Sequence, residues 1–417
     1  MDTAVILAAG KSSRFWPLNY RHKSLVYIMG KPIIWWCLKG IEENGIKKVI
    51  IVQSPSKDVE REIKKFSFSK LKLRFIVQPY PLGSGNALFC GRKFLKDYFF
   101  VLNADIVCSG EILKTMIEKI KREKKSVLAC QKTKTPWLFG MVKFKKDRIL
   151  EIVEKPEKGK EPSKIKVAGV YFLNKRYFDY YQKVKKGPFD FEEALSIYMK
   201  KEETKLALIE KDEESLPAFV KYPWHLFLVE KYLFNNFLQE RIEKSAKVSK
   251  NSIIEGRVYI GNEVKILEGA TIKGPCYVGD GCFIGNNSLV REYVNLEKNV
   301  IVGAFCEIAR CIFQQGVSTH SGYFGDSIIG ENCKIGAGTI TANVRLDREK
   351  IKVKVGEDKI STFLKSFGCV IGKNTMVGVH ASLMPGVFVG SNSYIFPNAV
   401  VSKNIKDNTK FFNKNID

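Results

Sequence analysis

Hydrophobic positions along the chain follow two different grammars. Up to about residue 235, short apolar runs alternate with longer amphipathic stretches. Residues 5–7, 49–52, 75–77 and 99–102 are short runs rich in branched and aromatic side chains and predict strands. Residues 33–44, 86–94 and 112–125 predict intervening helices, and 224–243 a closing one. This alternation predicts an α/β domain with a mainly parallel sheet, whose ligands would bind beyond the carboxyl ends of the strands.

From residue 248 every sixth residue is aliphatic: Val248, Ile254, Ile260, Ile266, Ile272, Val278, Ile284, Val290, Leu296, Val302 and Ile308. A second register, offset by three residues, holds Ile329, Ile335, Ile371, Val377, Leu383, Val389, Ile395 and Val401. A period of six is neither helical nor simple alternation. It predicts a parallel β-helix with three short strands per turn and the sixth-residue side chains stacked inside. Residues 310–323 break the phase, and 343–367 read as a loop thrown out of one coil. The expected division is a domain at 1–235, a linker at 236–246 and the β-helix at 247–417.

The chain has 417 residues, 45% of them apolar and 27% charged, which excludes a disordered or collagen-like polymer. Its net charge of +25 is spread as single and paired basic residues without a nucleic-acid-binding signature, so no nucleic-acid partner is expected. Ten cysteines include no CxxC pair and no zinc spacing, and they read as small buried side chains in a reducing compartment. With no signal-like N-terminus and no run of about 18 apolar residues, a cytoplasmic location without membrane association is expected.

Candidate chemistry in the first part begins with L-A-A-G-K-S-S-R-F-W-P-L at 7–18, a small-residue turn after the first strand, with Arg14 and Lys23 as cations for a polyphosphate. A second glycine-rich turn, Q-P-Y-P-L-G-S-G-N-A at 78–87, offers the Gln78 amide to a base edge and glycines for close approach. Asp105 follows an apolar strand, where a Mg²⁺ carboxylate ligand belongs. Glu154 and Lys155 pair a carboxylate for sugar hydroxyls with an ammonium for a phosphate.

In this order L-A-A-G-x-x-x-R…K, Q-P-x-x-x-G-S-G-x-A, N-A-D, F-G, E-K-P and A-G-V-Y resemble the sugar-1-phosphate nucleotidyltransferases over residues 1 to about 230, and the resemblance implies a Rossmann-like domain. It implies that Arg14 and Lys23 hold the triphosphate, and that Leu7, Ala8, Gly10, Gln78 and Gly83 form the nucleotide site. Gly140, Glu154, Lys155 and Gly169 would line the sugar-phosphate pocket, with Asp105 on the metal. Departures are Ser12 and Ser13 for Gly and Thr, His22 for Pro, and His225 where the family places an Asp or Asn metal ligand. Mg²⁺ prefers oxygen donors, so His225 raises the expectation of Mn²⁺ or Co²⁺ use.

Where the hexad phase breaks and resumes, H-x-x-Y-x-G-D at 320–326 and G-A-G-T-I-T-x-N at 336–343 resemble the acetyltransferase half of bifunctional uridylyltransferase/acetyltransferases of amino-sugar phosphates. The continuation N-V-R-L-D at 343–347 is closer to the archaeal-type versions. The resemblance implies a left-handed β-helix, a homotrimer, and acetyl-CoA as co-substrate. It makes His320 the general base and Tyr323 and Asn343 acceptor-positioning groups. Arg291 and Lys352 would be phosphate contacts, with Arg310 and Lys350 as further cations. Two other readings stay open here: a nucleotidyltransferase with a structural β-helix, and a regulatory subunit with a degenerate first domain.

Overall fold

A computed structural model describes residues 1–187 and 189–412. Packing divides the chain into two compact units, one of Met1–Lys11 with Pro32–Val220, the other of Ser12–Lys31 with the chain from Lys221 onward. This differs from a simple cut near residue 235, because a segment early in the sequence packs with the second unit.

In the first unit a nine-stranded sheet runs in the order Lys72–Val77, Lys48–Gln53, Thr3–Ala8, Tyr98–Asn103, Ile165–Asn174, Ser126–Lys132, Thr204–Ile209, Arg148–Glu154, Gly140–Lys145. The first four strands are parallel, whereas Ile165–Asn174 runs antiparallel between two neighbours and the last two form a hairpin. Phe99, Phe100, Val101 and Leu102 are wholly buried, as a strand covered on both faces requires. Helices Ile33–Glu43 and Ser109–Glu123 meet at Gly40, where a Cβ would stand 2.3 Å from the Ser109 hydroxyl oxygen.

The predicted closing helix is shorter than expected and spans Leu226–Phe237. Inside the expected linker, Arg241–Ile242 is already a strand, parallel to Val258–Ile260. The six-residue phase extends back to Ile242, so the β-helix begins before residue 247.

The β-helix consists of three parallel sheets of eight, nine and eight strands. From Ile260 to Ile308 the sixth-residue side chains form one buried core, which continues through Ile329, Ile335, Ile371 and on to Val401. Each such burial contributes roughly 1.5–3 kcal/mol. Corner residues adopt left-handed backbone, and asparagines at Asn332, Asn374, Asn392 and Asn408 stack there with side-chain bonds between successive coils.

The phase break has a specific cause. Core side chains step by five residues instead of six from Ile308 to Phe313, from Thr319 to Phe324, and from Phe324 to Ile329. Three one-residue deletions therefore produce the offset of three. They fall at the corners carrying Arg310, His320 and Asp326. The interruption at 343–367 is a hairpin of Lys352–Val355 and Asp358–Ser361, closed at its base where Phe367 N–H donates to Asn343 O at 2.8 Å.

Candidate functional sites

In the first unit Gln78 is buried at the end of its strand. Its amide donates to Gly83 O at 3.0 Å and Asn86 Oδ1 at 2.9 Å, so both donors hold the glycine turn and Oε1 is the atom left for a base N–H. The expected base-reading amide is thus half committed to shaping its own loop. Gly83 has φ +94°, accessible at low cost only to glycine, and precedes the helix Ser84–Gly91. A Cβ on Gly10, two residues past Leu7 and Ala8 at the end of the first strand, would meet nothing within 4 Å, which leaves room for a ligand's approach.

Asp105 is buried and accepts a bond from Val220 N–H at 2.8 Å. Gly169, with φ +72°, sits at a register shift in its strand and against the Asn103 side chain. Gly140 pairs with Glu154, and a Cβ there would stand 2.8 Å from Glu154 Oε2, so the glycine makes room for that carboxylate. Lys155 takes left-handed backbone, with its ammonium 3.9 Å from Glu154 Oε1 and 5.6 Å from the Phe189 ring centre.

Two acidic residues that sequence reasoning passed over join these clusters. Asp190 is buried, bonded to the Tyr181 hydroxyl at 3.0 Å, and its Oδ1 stands 2.5 Å from where a Gly85 Cβ would be. Glu192, one helical half-turn on, lines a cavity of about 590 Å³ with Ile152, Glu154, Lys155, Phe189 and Ile197. Burial, reinforced by Glu154 and Asp190, pushes the Glu192 carboxyl up to about 7. The only signal in the sequence was the acidic start of the helix Asp190–Lys201, a pattern that equally suits a helix N-terminus.

In the second unit Ser12 adopts left-handed backbone at φ +53°, so serine keeps a glycine-like turn, and its hydroxyl accepts Lys23 N–H at 3.1 Å. His22 has φ −58°, a value proline shares, and its Nδ1 accepts Ser24 N–H at 3.3 Å. Arg14 is exposed on the short helical turn Ser13–Phe15.

His225 Nδ1 accepts Lys221 N–H at 3.0 Å, and the ring packs edge-on to Tyr222 and Trp224. A neutral imidazole accepting at Nδ1 carries its proton on Nε2, so in this arrangement neither nitrogen presents a lone pair to a metal. The donor chemistry fits a hard cation at the Asp105 carboxylate better than at His225. Among the described residues no cluster of three or more His, Cys, Asp or Glu suits a metal.

On the β-helix, Tyr323 and Asn343 converge over Gly325. A Cβ there would lie 2.5 Å from the Tyr323 hydroxyl and 2.7 Å from Asn343 Nδ2. The buried Asp326 carboxylate accepts from Asn343 Nδ2 at 2.5 Å and bidentately from Arg310, at 2.7 and 3.0 Å. Since a carboxylate only accepts, this bond turns Asn343 Oδ1 away from Asp326. Burial and Asp326 raise the Tyr323 pKa, keeping the phenol protonated. His320 is exposed at the shortened corner three residues before Tyr323.

Arg291 differs from the expected phosphate contact: it is bound to Glu307 at 2.9 and 2.7 Å and to Glu292 at 3.0 Å. Glu292 also holds Arg310 at 2.5 Å. A phosphate reaching either guanidinium must displace a carboxylate. Lys352 is exposed on the hairpin, and Lys350 lies 5.7 Å from the Phe363 ring centre.

All ten cysteines are free and nine are buried. Burial raises the thiol pKa of all ten, Cys37 to about 12, which removes them as thiolate nucleophiles. Among the described residues no helix is long and apolar enough to cross a membrane.

Residues 3–225 match the family model described as nucleotidyl transferase, and residues 275–304 and 368–403 that of the hexapeptide repeat of succinyl-transferase. An α/β nucleotidyl-transferase unit is thus joined to a left-handed hexapeptide β-helix. Over its length the chain is 31% identical to the bifunctional protein GlmU of Methanococcus vannielii, covering 99% of this chain and 97% of that protein. It is 30% identical to the bifunctional sugar-1-phosphate nucleotidylyltransferase/acetyltransferase of Sulfurisphaera tokodaii, covering 96% and 98%. The chain belongs to this family of bifunctional nucleotidylyltransferase/acetyltransferases.

Proposed function

We propose that the protein transfers a nucleotidyl group from UTP or dTTP to a sugar-1-phosphate and, separately, acetylates glucosamine- or galactosamine-1-phosphate with acetyl-CoA. The observation that carries this reading is the convergence of Tyr323 and Asn343 over Gly325, with Asp326 bonded to Asn343, in a chain that matches bifunctional relatives over nearly its whole length.

In the first reaction the sugar phosphate oxygen attacks the α-phosphorus in line and pyrophosphate leaves, a displacement governed by positioning and charge neutralisation. Arg14 and Lys23 hold the triphosphate, Gln78 Oε1 and the Gly83 turn take the base, and Glu154, Lys155, Gly140 and Gly169 take the sugar phosphate. Asp105 would hold a divalent cation, Mg²⁺ in the first instance with Mn²⁺ or Co²⁺ as substitutes, which neutralises charge on phosphate oxygens.

In the second reaction His320 takes a proton from the amino sugar's ammonium. The amine nitrogen attacks the thioester carbonyl and the C–S bond breaks; the nitrogen's second proton passes to the departing sulfur, so coenzyme A leaves as the thiol and the neutral amide remains. Asn343 Oδ1 accepts an N–H of the incoming amine, and Tyr323 donates to the acceptor.

Outward-facing Met376 and Tyr394, paired on adjacent coils of one sheet, support assembly of the β-helix with further copies, a homotrimer in this reading. A cytoplasmic setting suits these substrates.

Separation of function tests the proposal. Lys23→Ala should stop pyrophosphate release and spare coenzyme A release, and His320→Ala should do the reverse. Absence of coenzyme A release from the unmodified protein with either amino-sugar phosphate would leave only the first activity.

A further inference from the structure

Within the second unit, three polar side chains of the β-helix grip the early segment that carries Arg14 and Lys23. Asn295 lies between core residues Val294 and Leu296, so strand alternation turns it outward, and Glu297 and Gln314 directly follow core residues Leu296 and Phe313. Outward polar groups on such a prism ordinarily meet water. These three are 0%, 2% and 1% exposed.

Their buried polar atoms are satisfied by backbone of residues 27–30. Gln314 Oε1 accepts Tyr27 N–H at 3.0 Å, and its Nε2 donates to Tyr27 O at 2.9 Å, reproducing the paired bonds of a neighbouring strand. Asn295 Oδ1 accepts Met29 N–H at 2.8 Å. The Glu297 carboxylate accepts Gly30 N–H at 3.2 Å and Asn295 Nδ2 at 2.9 Å.

The fit at the turn is close. Met29 and Gly30 both have positive φ, and a Cβ on Gly30 would stand 2.6 Å from the Tyr277 hydroxyl. The segment is also tied on the other side of Lys23. Arg21 pairs with Glu331 at 2.5 Å, and Trp16 Nε1 donates to Asp407 at 3.2 Å. Lys23 therefore stands between two anchored stretches, and Arg14 two residues before one anchor.

We propose that Asn295, Glu297 and Gln314 are positioning residues for nucleotidyl transfer: by fixing the backbone of residues 27–30 they set where Lys23 and Arg14 meet the triphosphate. This rests on the reading of Arg14 and Lys23 as triphosphate ligands. Truncating the amide side chains removes the bonds that Gln314 gives to the Tyr27 N–H and C=O and that Asn295 gives to the Met29 N–H, all of them part-buried. The segment must then shift toward water, and a displacement of about 1 Å at a charge-neutralising lysine is felt in substrate binding. The β-helix is, on this view, part of the machinery of the first reaction as well as the seat of the second.

The test uses the full chain, with pyrophosphate release from UTP or dTTP and N-acetylglucosamine-1-phosphate, and coenzyme A release from acetyl-CoA and glucosamine-1-phosphate. The double variant Asn295→Ala/Gln314→Ala should raise KM for the nucleotide at least tenfold and leave kcat/KM for coenzyme A release within twofold. Glu297→Gln, which retains an acceptor oxygen for Gly30 N–H, should stay near the unmodified protein, and Glu297→Ala should follow the double variant. An unchanged nucleotide KM in the double variant, or an equal loss of both activities, overturns the proposal. Lys23→Ala separates the two levels. If it releases pyrophosphate normally, the underlying reading fails; if it is inactive while the double variant is normal, only the positioning role fails.

Discussion

Replacing Gly325 by alanine adds one methyl group beneath the two groups that converge on the candidate acetyl-acceptor site. The backbone at Gly325 is outside the left-handed region, so alanine meets no conformational penalty there. Gly325 N–H is held by Thr341 Oγ1 at 3.0 Å within the buried coil, which resists backbone relief. The methyl would stand 2.5 Å from the Tyr323 hydroxyl and 2.7 Å from Asn343 Nδ2. Ordinary contact requires these groups to retreat by about 1 Å, at an overpacking cost of roughly 1–3 kcal/mol. A misplacement of that size lowers the rate of a positioned reaction by about 10²-fold. Coenzyme A release followed with a thiol reagent should fall by that factor in Gly325→Ala, and pyrophosphate release should be unchanged. Acetylation within twofold of the unmodified protein would refute the placement of Tyr323 and Asn343 at the acceptor, and loss of both activities would refute the claim that the strain is local.

Asp105→Asn, which keeps the acceptor for Val220 N–H and removes the charge, should cut pyrophosphate release by roughly 10²-fold or more and spare acetylation, measured side by side. Ile284→Ala, at a fully buried core position of the β-helix, should destabilise by roughly 2–5 kcal/mol in denaturant unfolding, and a change under 1 kcal/mol would contradict the stacked core. Glu192 gives a pH signature. Its folded pKa of about 7 lies above the ordinary 4.5, so its contribution to stability is present below about 4.5 and is lost as pH rises through about 7. Glu192→Gln should flatten that fall in melting temperature, and any titration near pH 7 in the sugar-phosphate KM should vanish with it.

Much of the architecture was legible from residue order because it repeats or alternates locally. The six-residue period marks the inward face of each coil without reference to any distant residue, and the three shortened steps explain why the phase slips at Arg310, His320 and Asp326. Ser12 shows that a departure from a family motif can leave the backbone unchanged, since serine holds the turn at φ +53°. Site chemistry was less legible. Both donors of Gln78 are used within its own turn, so only Oε1 can read a base, and Arg291 lies between two carboxylates that a phosphate would have to displace. A residue's type announces what it can bind; the neighbours that reach it first decide what it does bind.

The sequence alone therefore determined the α/β unit, the hexapeptide coil, the ejected loop and the family. It did so because hydrophobic period and turn chemistry are properties of neighbouring residues, and burial of an apolar stripe rewards them wherever they occur. The tertiary structure alone decided that residues 12–31 pack with the β-helix unit, that Asn295, Glu297 and Gln314 are buried beneath that segment, and that Glu192 joins Glu154 and Lys155 at one cavity. The first two outcomes depend on pairing polar groups hundreds of residues apart, and the third on a strand and a helix meeting at one cavity. No period encodes such pairing: a hydrogen bond needs only one donor and one acceptor brought together, and it leaves no repeating mark on the chain.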